Sequence, residues 1–212
     1  MPGLALIKEE YVNRIFLALA AMVAAVSSYA AEEWIIDSSH GAARFKVRHM
    51  MVSNVEGTIS NIKGTFTYDD KDVTKTKTEA TLDATTINTS NTDRDTHLKT
   101  PDFLDTAKFP TVTFKSKSAK KGGKGKFQLL GALTLHGVTK DITLDVEDVT
   151  EVVKDAKGNT RRGFLATTKI NRQDFGVNFN KKLDNGGLVL GDVLDVTVEF
   201  ELVPPKKEEK KT

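Results

Sequence analysis

The sequence contains no cysteine. Disulfides and thiol chemistry are therefore excluded, and the fold must hold through packing and hydrogen bonding alone. A bilayer-spanning helix is missing as well: the apolar run IFLALAAMVAAV, residues 15–26, has twelve residues, against the ~20 that a transmembrane helix needs. Charge of one sign is not in excess, with 31 Lys and Arg against 29 Asp and Glu and a net charge of +2, so nothing points to nucleic acid or another polyanion as a partner. There is no H-E-x-x-H, no C-x-x-C and no acidic calcium loop, and no serine sits in a G-x-S-x-G elbow. GGKG at 122–125 follows lysines and reads as a flexible hairpin turn rather than a phosphate loop. Its stretch AKKGGKGK, if it does anything specific, touches anionic headgroups. With no nucleophile motif and no paired acid and base, the chain carries no catalytic signature and calls for neither cofactor nor metal.

Export explains the amino terminus. The apolar run follows Arg14 and precedes Ser28-Tyr29-Ala30, the anatomy of a secretory signal peptide with small residues before the cut. Residues 1–30 are accordingly expected to be a signal peptide cleaved after Ala30, residues 31–203 one β-barrel domain, and residues 204–212, PPKKEEKKT, a disordered charged tail. Glu9 and Glu10 are unusual in a signal n-region. They are accounted for if the codons of Lys8-Glu9-Glu10 spell a ribosome-binding sequence and translation starts at Val12.

Beyond residue 34 the pattern has period two. Trp34 to His49 and Val52 to Tyr68 read as two long strands, the second with Ile62, Gly64, Phe66 and Tyr68 on one face. Ala80, Leu82 and Ala84 mark a third. Val112, Phe114, Ser116 and Ser118 mark a fourth, and Phe127, Leu129, Gly131, Leu133 and Leu135 a fifth that ends in a tight turn at His136-Gly137. Ile142, Leu144 and Val146 mark a sixth, Thr160 to Asn171 follows the DAKGN turn as a seventh, and Asp192 to Leu202 is the last. Short connections imply antiparallel neighbours. About eight such strands can close into an all-β barrel that hides its edges, although the pattern alone leaves a β-sandwich open. Residues 88–110 interrupt the pattern with helix punctuation: Asn91 or Thr92 caps a short helix through Leu98, Thr100-Pro101 begins a second turn, and Pro110 returns the chain to strand. Such an insert suits the role of a cover over one barrel end.

The inward faces carry almost no charge. Phe45, Val47, Phe66, Leu82, Phe114, Leu133, Leu135, Leu144, Val196 and Val198 would line the interior, either packed against one another or around a cavity. In the first strand Arg44, Lys46 and Arg48 face outward, while His49 falls on the apolar side with Ala43, Phe45 and Val47. A polar group in an apolar lining is what orients a hydrophobic ligand. The other histidines, at 40, 97 and 136, sit on separate elements; Asp93 and His97 share a helical face, and His136 is a turn residue.

The ordered motifs resemble the YceI-like family of periplasmic polyisoprenoid-binding proteins. The opening WIIDSSHGAARFKVRHMMVSNVEGTISNIKGTF supplies its D-x-x-H, F-x-V-x-H and V-x-G elements, followed by INTSNTDRDTHLKTPDFLDTAKFPTVTFKS, GALTLHGVTKDITLDV, INRQDFGVNF and GDVLDVTVEFEL. The resemblance spans residues 34–202 and implies a lipocalin-like antiparallel barrel holding a long-chain isoprenoid or a related amphiphilic lipid, such as a quinone or fatty-acid derivative. It also implies a periplasmic role in transport, storage or stress protection, with no catalysis. Phe45, Val47, His49, Arg94, Asp95, His97, Leu98, Phe103, Pro110 and Phe114 fall on its motif positions, which adds Arg94, His97 and Phe103 to the candidate ligand-binding residues. Gly41 stands where a serine is common, and Leu104 where an aromatic is frequent. Transient membrane-surface contact is the most that is expected of a second partner, and a homodimer stays open. Two other classes of function also stay open: a lipid-modifying enzyme using His49 with Asp95 or Arg94, and a ligand-free envelope-stress protein with a filled barrel.

Amino-terminal sequencing of the exported protein should begin at Ala31; an intact apolar segment would overturn the cleavage.

Overall fold

The computed structural model describes residues 31–123 and 126–206. The expected signal peptide and the end of the charged tail lie outside the described residues. Ten strands form one antiparallel sheet: β1 (Glu32–His49), β2 (Ser53–Ile59), β3 (Lys63–Tyr68), β4 (Lys77–Asp83), β5 (Thr111–Lys121), β6 (Phe127–Leu135), β7 (Val138–Val149), β8 (Val153–Lys154), β9 (Thr160–Asn171) and β10 (Leu190–Val203). Strand β10 pairs with β9 from Leu202↔Arg162 to Val193↔Asn171 and with β1 from Ile35↔Val203 to His49↔Leu190. That double pairing closes an eight-stranded barrel in the order β1-β3-β4-β5-β6-β7-β9-β10. A closed barrel leaves no long edge exposed, and of the two architectures the period-two pattern allowed it is the one formed.

The expected single strand from Val52 to Tyr68 is broken into β2 and β3. Asn61 between them takes a left-handed backbone, φ 56°, which asparagine tolerates better than most residues. The break lets β1 change partner: residues 32–35 pair with β3, whereas residues 43–49 pair with β2. Between these two halves β1 bulges. A Cβ at Gly41 would stand 2.7 Å from both Ile62 Cγ2 and Phe200 Cβ, so the bend needs a residue without one. The short helix α1 (Thr92–Leu98) has Asn91 as its N-cap, the side chain accepting from the Arg94 amide at 2.9 Å. At the β6–β7 hairpin His136 and Gly137 both have positive φ, 52° and 74°, the backbone of a two-residue hairpin turn.

One end of the barrel is filled. Phe66, Phe164 and Phe200 pack with centroids 4.5–6.2 Å apart, and Tyr68 bridges Phe66 to Phe127. Each such ring burial contributes about 1.5–3 kcal/mol before entropy is counted. Arg162, only 2% exposed, seals this floor. Its Nε donates to the Thr150 carbonyl at 2.8 Å, its terminal nitrogens donate to Asp70, and its guanidinium lies 4.6 Å from the Tyr68 ring centre. Burial disfavours its charge, but the hydrogen bonds and charge of Asp70 outweigh that and hold the guanidinium above its ordinary value.

Arg162→Ala should lower the unfolding free energy by about 2–4 kcal/mol, because it strands a carbonyl and uncovers the aromatic floor. Urea unfolding followed through Trp34, the sole tryptophan, measures this; a loss under about 0.5 kcal/mol would mean that the guanidinium does not hold the floor.

Candidate functional site

Above the aromatic floor the inward side chains are mostly aliphatic, with Phe45 and Phe114 among them. They leave a cavity of about 330 Å³. Phe45 and Val47 of β1, Leu82 of β4, Phe114 of β5, Leu133 and Leu135 of β6, Leu144 of β7, and Val196 and Val198 of β10 form its wall, each where strand alternation points it inward. The polar lining is confined to His49, Arg94, His97, Thr168 and Arg172. Thr168 is already satisfied, its hydroxyl donating to the Thr143 carbonyl at 2.8 Å.

The 88–110 insert lies over this cavity with Arg94, His97, Leu98, Phe103 and Leu104 facing it. It is held by Thr89, whose amide and hydroxyl donate to Asp95 Oδ1 at 2.8 and 2.5 Å. Arg94 donates from Nε to the Thr89 hydroxyl at 2.7 Å and from Nη2 to the Thr89 carbonyl at 2.9 Å. His97 does not pair with Asp93, the partner its helical spacing suggested. Its Nε2 lies 2.8 Å from Asp102 Oδ2, and its ring meets Phe103 and Phe179 edge-on at 5.0 and 5.1 Å. Phe103 in turn lies 4.8 Å from Phe179. This ring cluster joins the insert to the segment between β9 and β10.

That segment is fixed by Arg172, a residue of the INRQDFGVNF motif that sequence reasoning did not single out. Buried at 4% exposure, it donates to the Gly191 carbonyl (2.9 Å), the Val177 carbonyl (2.6 Å) and Asp192 (3.0 Å). Burial pulls its guanidinium below the ordinary arginine value, and Asp192 opposes that shift. The three acceptors, spread along the chain from 177 to 192, are drawn around one side chain. Phe179 and Val189 are thereby brought over the cavity; loop residues of this kind have no periodicity by which sequence could find them.

Phe66 stands apart from the other candidates. Fully buried in the aromatic floor, it does not border the cavity; alternation tells which face of a strand points inward, not how deep along the barrel a residue lies. His49 borders the cavity, and among the described residues its ring makes no hydrogen bond. One imidazole donor and one acceptor are thus unclaimed by protein. Asp95 and Arg94 are committed to Thr89, so the polar constellation with His49 is not assembled. His40 and His136 lie elsewhere: Nδ1 of His40 is 3.0 Å from Asp37 Oδ2, and Nδ1 of His136 is 3.2 Å from the Phe175 carbonyl. Asp37, His40 and Glu201 do gather ligand-type atoms within 4.8 Å. Arg161 already stands among them, 2.7 Å from Asp37 and 3.4 Å from Glu201.

A family model described as a YceI-like domain matches residues 34–202. Protein YceI of Escherichia coli O6:H1 is 37% identical over 163 residues, which cover 76% of this chain and 84% of that protein. A UPF0312 protein of Staphylococcus aureus is 35% identical over 168 residues, 78% of this chain and 95% of its own. Among solved structures, the YCEI protein of Campylobacter jejuni superposes with a TM-score of 0.62 at 30% identity, covering 75% of this chain and 90% of that one. Two more distant chains share the fold. BcnA of Burkholderia cenocepacia has a TM-score of 0.67 at 18% identity, covering 78% and 98%. A polyisoprenoid binding domain from Saccharophagus degradans has a TM-score of 0.55 at 14% identity, covering 82% and 99%.

Arg172→Lys should keep a cation but lose the fork that reaches three acceptors. Hydrogen exchange should then accelerate at the amides of residues 177–191 relative to the barrel strands. Unchanged protection there would show that the segment is held by its own contacts.

Proposed function

The chain belongs to the YceI-like family, and from that premise we propose that it binds an amphiphile with an apolar chain, an isoprenoid or a related quinone or fatty-acid lipid, in the barrel cavity. The observation that carries this reading is the cavity's chemistry: an apolar, mostly aliphatic wall, with polar lining confined to His49, Arg94, His97, Thr168 and Arg172. Burying a methylene is worth about 0.8 kcal/mol, so one five-carbon isoprene unit contributes roughly 3–4 kcal/mol before ordering costs. A few units suffice for retention. The cavity volume of about 330 Å³ is at the lower end for sites that enclose a small organic ligand, so a long chain would be held over part of its length.

The Saccharophagus degradans neighbour, described as a polyisoprenoid binding domain, supports the same ligand class. Catalysis has less behind it, since Arg94 and Asp95 are bonded to Thr89 rather than to His49. A ligand-free structural role is disfavoured by the unfilled upper half of the barrel. The site of action that fits is the periplasm, on the strength of the apolar amino-terminal run and the small residues after it; there the protein would carry or shelter its lipid outside the bilayer.

Protein stripped of lipid, incubated with a lipid extract of its host and re-isolated should yield a bound amphiphile on organic extraction. Leu144→Lys should abolish most of that yield, because an unpaired ammonium in the apolar wall is costly and repels an alkyl chain. His49→Leu should keep the fold and its melting temperature but retain less lipid, having lost the unclaimed polar group that β1 presents to the cavity. Wild-type yield from a folded Leu144→Lys protein would remove the cavity from the account, and wild-type yield from His49→Leu would return His49 to simple packing.

A further inference from the structure

The β1–β2 turn is exposed where an ordinary hairpin turn would be polar. Met50, Met51 and Val52 are 43%, 59% and 77% exposed, three consecutive apolar residues at the tip of the strand that carries His49. The conformation is held rather than incidental. Met50 and Met51 both have left-handed backbones, φ 49° and 63°, uncommon for unbranched residues and strained for a consecutive pair without glycine. Three hydrogen bonds fix it: the Val52 amide donates to the His49 carbonyl at 3.1 Å, the Met50 amide to the Val189 carbonyl at 2.7 Å, and Arg48 Nη2 to the Met51 carbonyl at 2.7 Å.

The tip stands at the cavity end of the barrel. His49 before it and Val55 after it line the cavity, as do Val189 and Leu190 beside it. Its other neighbour is the hairpin of residues 181–189, closed by the bridge Lys182↔Leu188, where Met51 Cγ lies 3.8 Å from the Cβ position of Gly187. This surround is cationic. Arg48, Lys181 and Lys182 are exposed and, among the described residues, no carboxylate pairs with any of them; Lys181 sits 5.9 Å from the ring of Phe179, itself a cavity residue. Against them stands the exposed Asp184. Lys120, Lys121 and Lys126, by contrast, stand near Phe127 at the filled end of the barrel.

We propose that Met50, Met51 and Val52, ringed by Arg48, Lys181 and Lys182, form a docking tip that inserts into an anionic lipid bilayer and places the cavity mouth against it. Apolar side chains enter the headgroup boundary while the cations meet lipid phosphates, the two attractions that hold peripheral elements at membranes. The inference rests on the lipid-binding reading in giving the tip a purpose, that of admitting a lipid without exposing its chain to water. The docking itself is measurable whether or not the cavity is loaded.

The test compares wild type with Met50→Asn/Met51→Asn/Val52→Ser, which keeps residues that accept a left-handed backbone, and with Lys181→Gln/Lys182→Gln. All three are taken in the same processed form. Wild type should co-sediment with phosphatidylethanolamine–phosphatidylglycerol vesicles, weakly with phosphatidylcholine vesicles, and less as salt rises. Each variant should lose about tenfold or more of the partitioning, and should take up lipid from such vesicles correspondingly more slowly. Loading from detergent micelles should be unchanged in both variants, since none of these residues lines the cavity. Equal sedimentation of wild type and the triple variant would overturn the docking tip. So would concentration-dependent dimerisation that the triple variant abolishes, because a second copy of the chain would then be what covers the tip. Failure of wild type to load from micelles would instead count against the cavity reading, leaving the sedimentation result to decide the tip.

Discussion

Everything else in this structure depends on β10 pairing with two strands at once. By bonding β9 along one edge and β1 along the other, it satisfies the backbone groups that an open sheet would leave to solvent or to another chain. Closure at eight strands also fixes the interior diameter at a value that large side chains fill and smaller ones do not. Which of the two happens is then a matter of residue size at each level. Phe66, Phe127, Phe164 and Phe200 fill one end, whereas Leu82, Leu133, Leu144, Val196 and Val198 leave room at the other. The cavity thus lies where the cluster of mutually packed rings gives way to a mostly aliphatic lining.

The two ends are finished with arginines used differently. Arg162 caps the floor by pairing with Asp70 and lying over Tyr68, so its charge is matched and its plane is packed. Arg172 spends its hydrogen bonds mainly on backbone, with carbonyls of Val177 and Gly191 as acceptors, and so organises a loop instead of sealing a core. A buried guanidinium suits both tasks because it stays charged and presents several donors in a rigid plane. At the cavity end His49 occupies a position that an aliphatic residue would fill more simply, and its ring nitrogens find no protein partner among the described residues. In the proposed function a ligand headgroup supplies the missing hydrogen bond.

Strand existence and facing were legible in the sequence because a barrel strand must alternate, and Phe45-Val47-His49 or Leu133-Leu135 could point only one way once one face was buried. The helix start at Asn91 or Thr92 and the DAKGN turn were legible too, since local hydrogen bonding sets both; the structure makes Asn91 the cap. Depth along the barrel was not legible, which is why Phe66 stood among the cavity residues although it belongs to the floor. The break at Asn61 was hidden by an apolar pattern that continues through it to Ile62. Arg172 and Phe179 owe their places to long-range hydrogen bonds and ring contacts, for which a single sequence carries no periodic signal. Met50 and Met51 fell between the first two expected strands with no role assigned; only the backbone geometry shows them held outward as a tip.

The claim that the upper barrel is a lipid site is tested most directly by native mass spectrometry of the protein purified gently, without detergent. The account predicts a polypeptide carrying one adduct that leaves as an intact amphiphile on collisional activation. A bare polypeptide mass under the same conditions, unchanged after incubation with host lipid, would contradict it.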